Sequence, residues 1–236
     1  GQSVLVRNGR FLTLVDCGGD SRDDPGDVAA NYLQALGRRR IDLLVVSHYH
    51  ADHANGIPQL LNRMMVAEIL LPDVEPDSPL RAEIVSIAEK KHIPVRFIRE
   101  ETWFPWTKDT GVKVFPPMAE EGNANELGLT VLASAGAVDT LITGDMEGAG
   151  ELRLLEAVSL PDIEVLVVGH HGSQTSTTPE LLEAVSPDLA LISVGLANRY
   201  GHPDLSTLIR LEEAGAGIYR TDLYGTVEVQ LKHQEQ

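Results

Sequence analysis

The sequence predicts an α/β protein on two observations. Apolar runs of strand length alternate with stretches of helical spacing along the whole chain. Hydrophobic residues make up 43% of the 236 residues, which is enough to bury a sizeable core. Alternating strands and helices are typical of α/β architectures. The length fits one domain over residues 1–236.

Turn and cap residues set the limits of the predicted elements. Asn8-Gly9 is a strong hairpin signal between the first two strands, Gly37 ends the first helix, and Ser78 caps the helix that starts with Pro79. The predicted strands are residues 3–6, 11–15, 41–46, 66–71, 112–115, 128–133, 139–143, 165–168, 189–194, 217–219 and 226–231. The predicted helices are residues 28–36, 78–91, 146–158, 178–185 and 204–214.

Four of these strands end in polar turns that carry histidine or aspartate. They are the strands over residues 41–46, 139–143, 165–168 and 189–194. Ligands of α/β sheets bind outside the carboxyl ends of strands. We therefore expect these four ends to converge on one edge and to form a site.

Composition and charge exclude several classes of protein. The single cysteine, Cys17, excludes an internal disulfide and a cysteine zinc cage. No uncharged apolar run reaches about 18 residues, so this chain is not expected to insert into a membrane. A net charge of −16 argues against a broad basic surface for nucleic acid. The excess of acidic residues either keeps the protein soluble or reflects carboxylates that cluster around bound cations.

The strongest local pattern is a cluster of four potential metal ligands. His48, His50, Asp52 and His53 follow directly after the apolar strand over residues 41–46. Imidazole and carboxylate are donors that Zn²⁺, Mn²⁺ and Fe²⁺ accept. A loop at this position can direct the first two side chains to one ion and the last two to another. The alternative is a surface group of histidines that arose by chance.

Two further aspartates follow apolar strands. Asp145 could bridge two cations about 3.5–4 Å apart, or it could be the N-cap of the helix that follows. Asp16, which precedes Gly18 and Gly19, could orient the histidine ligands, or it could belong to an ordinary turn.

The remaining candidates lie in two later loops. His170 and His171 stand at a strand end between glycines, and one ring could bind metal while the other faces substrate. On extended backbone, neighbouring side chains point in opposite directions, and we predict His171 as the ligand. Ser173 follows them. His202 could donate a proton or hold a phosphate oxygen, or it could cap the helix near Asp204.

The motif His48-x-His50-x-Asp52-His53 resembles the signature of the metallo-β-lactamase superfamily. Asp16-x-Gly18-Gly19 is similar to the superfamily's first motif, and Gly144-Asp145 is similar to its bridging aspartate. The resemblance covers the whole chain and implies a four-layered αββα sandwich with a dimetal site along one edge.

The finer pattern resembles the C-terminal domain of ComEC-type competence proteins. The matching pieces are Val15-Asp16-x-Gly18-Gly19, Gly169-His170-His171-Gly172-Ser173, Asn198-x-Tyr200-Gly201-His202-Pro203 and Tyr219-Arg220-Thr221-Asp222. The resemblance implies degradation of one DNA strand during uptake of the other. It also implies a longer membrane protein, in which a membrane channel and an OB-type domain accompany this domain on the extracytoplasmic side.

One ligand of the superfamily is missing. Most members carry a further histidine between the first cluster and the bridging aspartate, and the only histidine in that interval is His92, at a predicted helix end. We predict that Asn125 occupies the vacated position. An amide is a weak ligand, so the first site would be open and rich in water. Such a site favours Mn²⁺ and leaves Zn²⁺ possible.

The expected reaction is metal-assisted hydrolysis of a phosphodiester, with single-stranded DNA as the favoured substrate. His48 and His50 would hold one of two divalent ions. Asp52 and His53, completed by His171, would hold the other, and Asp145 would lie between them. Asp52 would accept the proton of the attacking water, His170 or His202 would protonate the leaving oxygen, and Ser173 would bind a phosphate oxygen.

Two alternatives remain open at this stage. One is a hydrolase of small phosphodiesters or thioesters on the same scaffold, because fold alone does not select the substrate. The other is a binding or scaffold module whose metal site has decayed, with Asn125 as the first sign of decay.

Overall fold

The computed structural model describes residues 1–20, 22–119 and 121–230, and the chain divides into two compact units. The first unit comprises residues 1–100 and the second comprises residues 101–236. Each unit contains one large β-sheet with helices in the connections between its strands. The predicted α/β class is confirmed.

The first unit contains seven strands and four helices among its described residues. The strands are β1 (Val4–Asn8), β2 (Phe11–Val15), β3 (Arg40–Ile41), β4 (Leu43–Val45), β5 (Met65–Val66), β6 (Ile69–Pro72) and β7 (Val95–Ile98). The helices are α1 (Pro25–Ala35), α2 (Ala51–Ala54), α3 (Ile57–Arg63) and α4 (Pro79–Lys91). The sheet order is β1-β2-β4-β6-β7, and β3 pairs with β5 apart from it.

The hairpin and the helix caps form as the sequence predicts. β1 and β2 pair antiparallel, with Gly9 in the left-handed region at a φ of 58°. The side chain of Ser78 accepts a hydrogen bond from the backbone N–H of Arg81 and caps α4. Apolar residues of α1, α3 and α4 pack with those of β2 and β6 in one buried core.

The second unit contains seven strands and four α-helices among its described residues. The strands are β8 (Thr102–Pro105), β9 (Thr110–Phe115), β10 (Thr130–Ala135), β11 (Asp139–Ile142), β12 (Val165–Val167), β13 (Leu189–Ile192) and β14 (Gly217–Arg220). The helices are α5 (Gly148–Ala157), α6 (Pro179–Val185), α7 (Leu205–Glu213) and α8 (Thr221–Tyr224). A short 3₁₀ segment, Gly169–Gly172, follows β12.

The sheet of the second unit has the order β14-β13-β12-β11-β10-β9-β8. The strands from β11 to β14 are parallel, and those from β8 to β11 are antiparallel. The carboxyl ends of β11, β12 and β13 therefore lie at the same edge. The core packs residues of these strands with those of α5, α6 and α7.

Several predicted elements differ from the structure. The predicted strand over residues 41–46 is split at Asp42, whose backbone N–H donates to the carbonyl of Leu12 while its side chain accepts from the N–H of Leu12. The predicted strand over residues 66–71 is also divided, into β5 and β6. Between them, the N–H of Ala67 donates to the carbonyl of Ile41. β4 lies in the first unit's sheet, whereas β11, β12 and β13 lie in the second unit's sheet, so the four strand ends belong to two sheets.

The predicted strand over residues 226–231 is also wrong for its described residues. Residues 226–230 alternate in polarity, but they join no ladder of the described sheets. Leu231 lies outside the described residues. The prediction missed β7, β8, α2, α3 and α8. Among the helices of the described chain, none has the length and apolar character needed to cross a bilayer.

The single cysteine lies in the interior. Cys17 is wholly buried directly after β2 and Asp16. Burial, followed by the charges of Asp24 and Asp16, raises the pKa of its thiol to about 12. The thiol is therefore protonated at neutral pH.

Candidate metal-binding site

The first unit presents three histidines and one aspartate in a compact group. His48 and His50 lie in the loop after β4, and their ring centroids are 4.7 Å apart. His53 lies on α2, and its ring centroid is 4.2 Å from that of His48. Asp52 and His53 carry donor atoms within 4.8 Å of each other, as do His48 and His50. The structure thus brings together all four members of the predicted cluster.

Helix α2 determines how the last two donors are presented. His50 is the N-cap residue of α2, in extended backbone conformation, and its side chain is exposed. Asp52 and His53 lie in the single turn of helix that follows, where neighbouring side chains diverge by about 100°. The backbone changes from extended to helical conformation after His50. The side chain of His50 therefore points in a different direction from the side chains of Asp52 and His53.

Asp16 fixes the orientation of His53. One carboxylate oxygen, Oδ2, lies 2.7 Å from Nδ1 of His53, and neither side chain is exposed. The carboxylate also accepts hydrogen bonds from the N–H and Oγ of Ser47 and from the side-chain amide of Gln2. Because the carboxylate only accepts, Nδ1–H of His53 donates to it, and the lone pair of the ring is on Nε2.

Ser47 extends the same control to His48. Its hydroxyl donates to Asp16 and lies 3.0 Å from Nδ1 of His48. Because its hydrogen is directed to Asp16, the oxygen accepts from Nδ1 of His48. The lone pair of His48 is therefore on Nε2, as in His53. A shared carboxylate and hydroxyl set both rings for metal binding.

Backbone contacts fix the position of the Asp52-His53 peptide. The N–H of Gln2 donates to the carbonyl of Asp52, and the N–H of Cys17 donates to the carbonyl of His53, both at 2.8 Å. A Cβ at Gly18 would lie 2.4 Å from the carbonyl carbon of Asp52 and from the nitrogen of His53. Glycine is required there because the Asp16 turn and the motif touch through their backbones.

The second unit contributes Asp145, which follows β11 and Gly144. Its side chain is almost fully buried. Helix α5 begins at Gly148 with Glu147 as its N-cap residue, so Asp145 is not the N-cap of this helix. The carboxylate instead faces two imidazoles: Oδ2 lies 3.8 Å from Nε2 of His170, and Oδ1 lies 3.8 Å from Nε2 of His171.

The prediction of extended backbone at His170 and His171 is wrong. Both residues lie in the left-handed region, with φ values of 49° and 55°. The N–H of His170 donates to the carbonyl of Gly144, and the N–H of Ser173 donates to the carbonyl of His170. These bonds fold the segment into a tight turn, so both rings approach Asp145.

The two rings differ in their surroundings. His171 is buried, and its Nδ1 lies 2.7 Å from the carbonyl oxygen of Ser193. A carbonyl only accepts, so Nδ1 carries the proton and Nε2, which faces Asp145, has the lone pair. His170 is more exposed, and its Nδ1 lies 3.7 Å from Oε1 of Glu147.

His202 and Ser173 lie in the same unit as these histidines. The ring centroids of His170 and His202 are 5.7 Å apart. Burial, followed by the neighbouring His170 and His171, lowers the pKa of His202. The helix cap at α7 is Asp204, which accepts from the N–H of Ser206, and His202 does not cap it. Ser173 is buried, and its hydroxyl is hydrogen-bonded to Thr175.

Asn125 lies in a turn between β9 and β10. Its amide nitrogen donates to Oε1 of Glu147 at 3.3 Å. Its amide oxygen is buried and has no hydrogen-bond partner among the described residues. Glu147 therefore contacts both Asn125 and His170. His92, in contrast, is the exposed C-cap residue of α4 and has a φ of 56°.

A buried carboxylate supports the loop that follows the two histidines. Glu151 on α5 is fully buried and accepts from the backbone N–H groups of Thr177 and Thr178. Thr177 in turn accepts from the N–H of Gly169 through its hydroxyl. Burial raises the pKa of the Glu151 carboxyl, and it outweighs the hydrogen bonds from Thr178 and Thr177, which lower that pKa.

Sequence reasoning gave no role to four residues that organise these donors. Gln2, Glu147 and Glu151 act through contacts with residues far away in the sequence, and Ser47 contacts the distant Asp16 as well as the adjacent His48. No spacing in the sequence predicts the long-range contacts. Ser47 alone had a signal, since it directly precedes the histidine cluster.

The comparison with known protein families agrees with this donor chemistry. The sequence profile of the metallo-β-lactamase superfamily matches residues 1–195. The chain belongs to the metallo-β-lactamase superfamily. Its class is that of metal-dependent hydrolases, and its His and Asp donors suit divalent metal ions.

Two curated relatives are bacterial competence proteins, which confirms the predicted resemblance. The chain is 33% identical over 230 residues to competence protein ComA of Neisseria gonorrhoeae, covering 97% of this chain and 30% of the relative. It is 28% identical over 204 residues to ComE operon protein 3 of Bacillus subtilis (strain 168), covering 86% of this chain and 26% of the relative. The chain thus spans less than a third of the length of either relative.

Solved structures show the same fold. The metallo hydrolase Igni18 of Ignicoccus hospitalis superposes with a TM-score of 0.62 at 14% identity, covering 98% of this chain and 95% of that chain. The fold class predicted from the resemblance, an αββα sandwich of the metallo-β-lactamase type, is confirmed.

Proposed function

We propose that this chain is a nuclease that degrades one DNA strand during DNA uptake. The observation that carries the proposal is the chemistry of the clustered His and Asp side chains, which offer imidazole and carboxylate donors. Such donors suit divalent ions that polarise phosphodiesters. The competence relatives support DNA as the substrate.

The proposed ligands are those predicted from the sequence. His48 and His50 would hold one ion, and Asp52 and His53, completed by His171, would hold the other. Asp145 would lie between the two ions. The residues present fit this role, because the hydrogen bonds at Nδ1 of His48, His53 and His171 place the lone pair of each ring on Nε2.

Two bound divalent ions would supply an acidified water and would neutralise charge on the phosphate. Asp52 would accept the proton of the attacking water. His170 or His202 would protonate the leaving oxygen. In the first case His202 would hold a phosphate oxygen. Ser173 can bind a phosphate oxygen only by exchanging its bond to Thr175.

Asn125 favours Mn²⁺ over Zn²⁺ at the first ion. Its buried amide oxygen has no hydrogen-bond partner among the described residues, so it is available to a cation or to a water molecule bound there. An amide oxygen and water suit Mn²⁺, which accepts oxygen ligands and open octahedral positions.

The proposed context is a longer membrane protein. In it, an OB-type domain delivers single-stranded DNA and a membrane channel takes up the other strand, with this domain on the extracytoplasmic side. The competence relatives, each more than three times as long as the matched region, support this context. With a net charge of −16 the domain repels a polyanion, so a separate domain would strengthen strand binding.

A matrix of metals and substrates tests the proposal. Single-stranded DNA, double-stranded DNA, RNA and a chromogenic phosphodiester are each incubated with Mn²⁺, Zn²⁺ and Mg²⁺. We expect weak cleavage of single-stranded DNA with Mn²⁺, falling steeply as salt is added. The double variant His50→Ala/Asp52→Ala should lose both bound metal and cleavage.

The matched control is His92→Asn, which removes an exposed histidine outside the proposed centre and keeps a residue that tolerates the left-handed backbone there. It should keep both metal and activity. The nuclease proposal is wrong if the domain cleaves no nucleic acid with any of the metals but rapidly hydrolyses a small phosphodiester or thioester. Retention of full metal by the double variant would contradict the assigned ligands.

A further inference from the structure

A row of aromatic rings leads from the surface of the second unit towards Asp145. Tyr200 is 65% exposed, and its ring stacks on that of His202 with centroids 6.0 Å apart and planes 17° apart. The ring of His202 lies 5.7 Å from that of His170. Nε2 of His170 lies 3.8 Å from Asp145. The rings of His202 and His170 thus connect an exposed phenol to the proposed bridging carboxylate.

The loop that carries Tyr200 is held in place by one side chain. The amide of Asn198 donates to the carbonyl of His202 at 2.7 Å, and its oxygen accepts from the N–H groups of Tyr200 and His202 at 3.2 and 3.0 Å. Gly201 has a φ of 74°, which completes the turn. The exposed ring is therefore presented in a preset position.

Arg199 adds a cation to this surface. Its exposed guanidinium lies 5.2 Å from the centroid of the Tyr200 ring. An aromatic ring with an adjacent arginine is the combination that single-stranded nucleic acids contact, since bases stack on the ring and phosphates pair with the cation. Stacking is uncharged, so it gives attraction that the net charge of −16 does not cancel.

We propose that Tyr200 is a stacking platform for one nucleobase of a single strand, adjacent to the phosphodiester that is cleaved. The base takes the place of the Arg199 guanidinium against the ring, and the guanidinium pairs with a neighbouring phosphate. The row of rings then sets the distance from the stacked base to the reacting phosphate. This inference rests on the proposed nuclease function and adds a binding site to it.

The test uses a single-stranded DNA oligonucleotide with the fluorescent base 2-aminopurine at one position, and a matched strand that lacks a base there. Binding is measured with Ca²⁺, which takes oxygen ligands, by quenching of the base and by anisotropy. Tyr200→Phe keeps the ring and Tyr200→Leu removes it. Tyr32→Leu is the matched control, since Tyr32 is a partly exposed tyrosine on α1 of the other unit.

We expect wild type, Tyr200→Phe and Tyr32→Leu to quench the base and to bind alike. Tyr200→Leu should lose the quenching and should raise the Kd about 5- to 150-fold, the equivalent of one stacked base. The strand without the base should bind wild type and Tyr200→Leu equally. The inference is overturned if Tyr200→Leu binds the intact strand like wild type, or if it weakens both strands equally, since the ring would then only support His202.

The two proposals fail in different ways. Cleavage of DNA by both wild type and Tyr200→Leu with equal KM overturns the stacking platform and leaves the nuclease in place. Quenching that depends on Tyr200, without cleavage under any metal, supports the platform and overturns the nuclease.

Discussion

Oδ2 of Asp16 lies 2.7 Å from Nδ1 of His53, and both side chains are fully buried. This contact joins the turn after β2 to helix α2, although the two residues are 37 positions apart in the sequence. The aspartate controls a ring without occupying a ligand position. Its effect on metal binding can therefore be measured apart from the loss of a ligand.

Asp16→Asn should weaken metal binding without removing a ligand. Asp16 has a φ of 61°, a conformation that asparagine tolerates, so the backbone turn should persist. The neutral amide polarises His53 less than the carboxylate does, and we expect a loss of about 10- to 100-fold in metal affinity. Competition with a chelator measures this affinity. Asp27→Asn, at a partly exposed carboxylate on α1, should bind metal like wild type; an equal loss in both variants would contradict the role of Asp16.

His171→Asn should lower metal content, whereas His170→Asn should keep metal and slow turnover. Nδ1 of His171 is held by the carbonyl of Ser193, so its Nε2 is set to bind, while His170 contacts Glu147. Asparagine is the suitable replacement because both positions are left-handed. Elemental analysis and initial rates provide the two measurements. If only His170→Asn loses metal, the two roles are exchanged.

Asn125→His should tighten binding of Zn²⁺ by restoring an imidazole in a turn where the amide oxygen is buried. Competition with a chelator should show a higher Zn²⁺ affinity, whereas the affinity for Mn²⁺ should change less. Asn123→His adds an imidazole at an exposed position in the same segment and serves as the control. Equal Zn²⁺ affinity in wild type and Asn125→His would show that Asn125 does not lie at the vacated position.

Glu151 should make the folded state less stable as the pH rises. Because burial raises the pKa of Glu151 above its ordinary value of 4.5, the folded chain holds this proton more tightly than the unfolded chain. That stabilisation is present below pH 4.5 and is lost as the pH rises through the folded pKa. The free energy of unfolding of wild type minus that of Glu151→Gln, measured with urea, should therefore fall from pH 4.5 upwards. A difference that grows with pH would mean that the hydrogen bonds from Thr177 and Thr178 outweigh burial.

The donors could be found from the sequence because they stand close together in it. His48, His50, Asp52 and His53 lie within six residues after an apolar strand, so their types and spacing alone indicate a metal site. Helix α2 was missed because a four-residue helix is too short for an apolar period to show.

The parts that escaped prediction depend on contacts between distant residues. The left-handed backbone of His170 follows from its bond to the carbonyl of Gly144, and no local propensity selects it. In the same way, the break at Asp42 arises from bonds to Leu12 across the neighbouring strand. Glu147, which meets both Asn125 and His170, has an ordinary position in the sequence ahead of a helix.

The burial of Cys17 makes the chain suited to chemical labelling. A thiol that is fully buried, with a pKa of about 12, should not react with a maleimide while the first unit is folded. The chain has no other cysteine. The rate at which Cys17 is modified therefore measures the rate at which residues 1–100 unfold. A dye attached to a new surface cysteine would label that position alone, because the native thiol does not react in the folded chain.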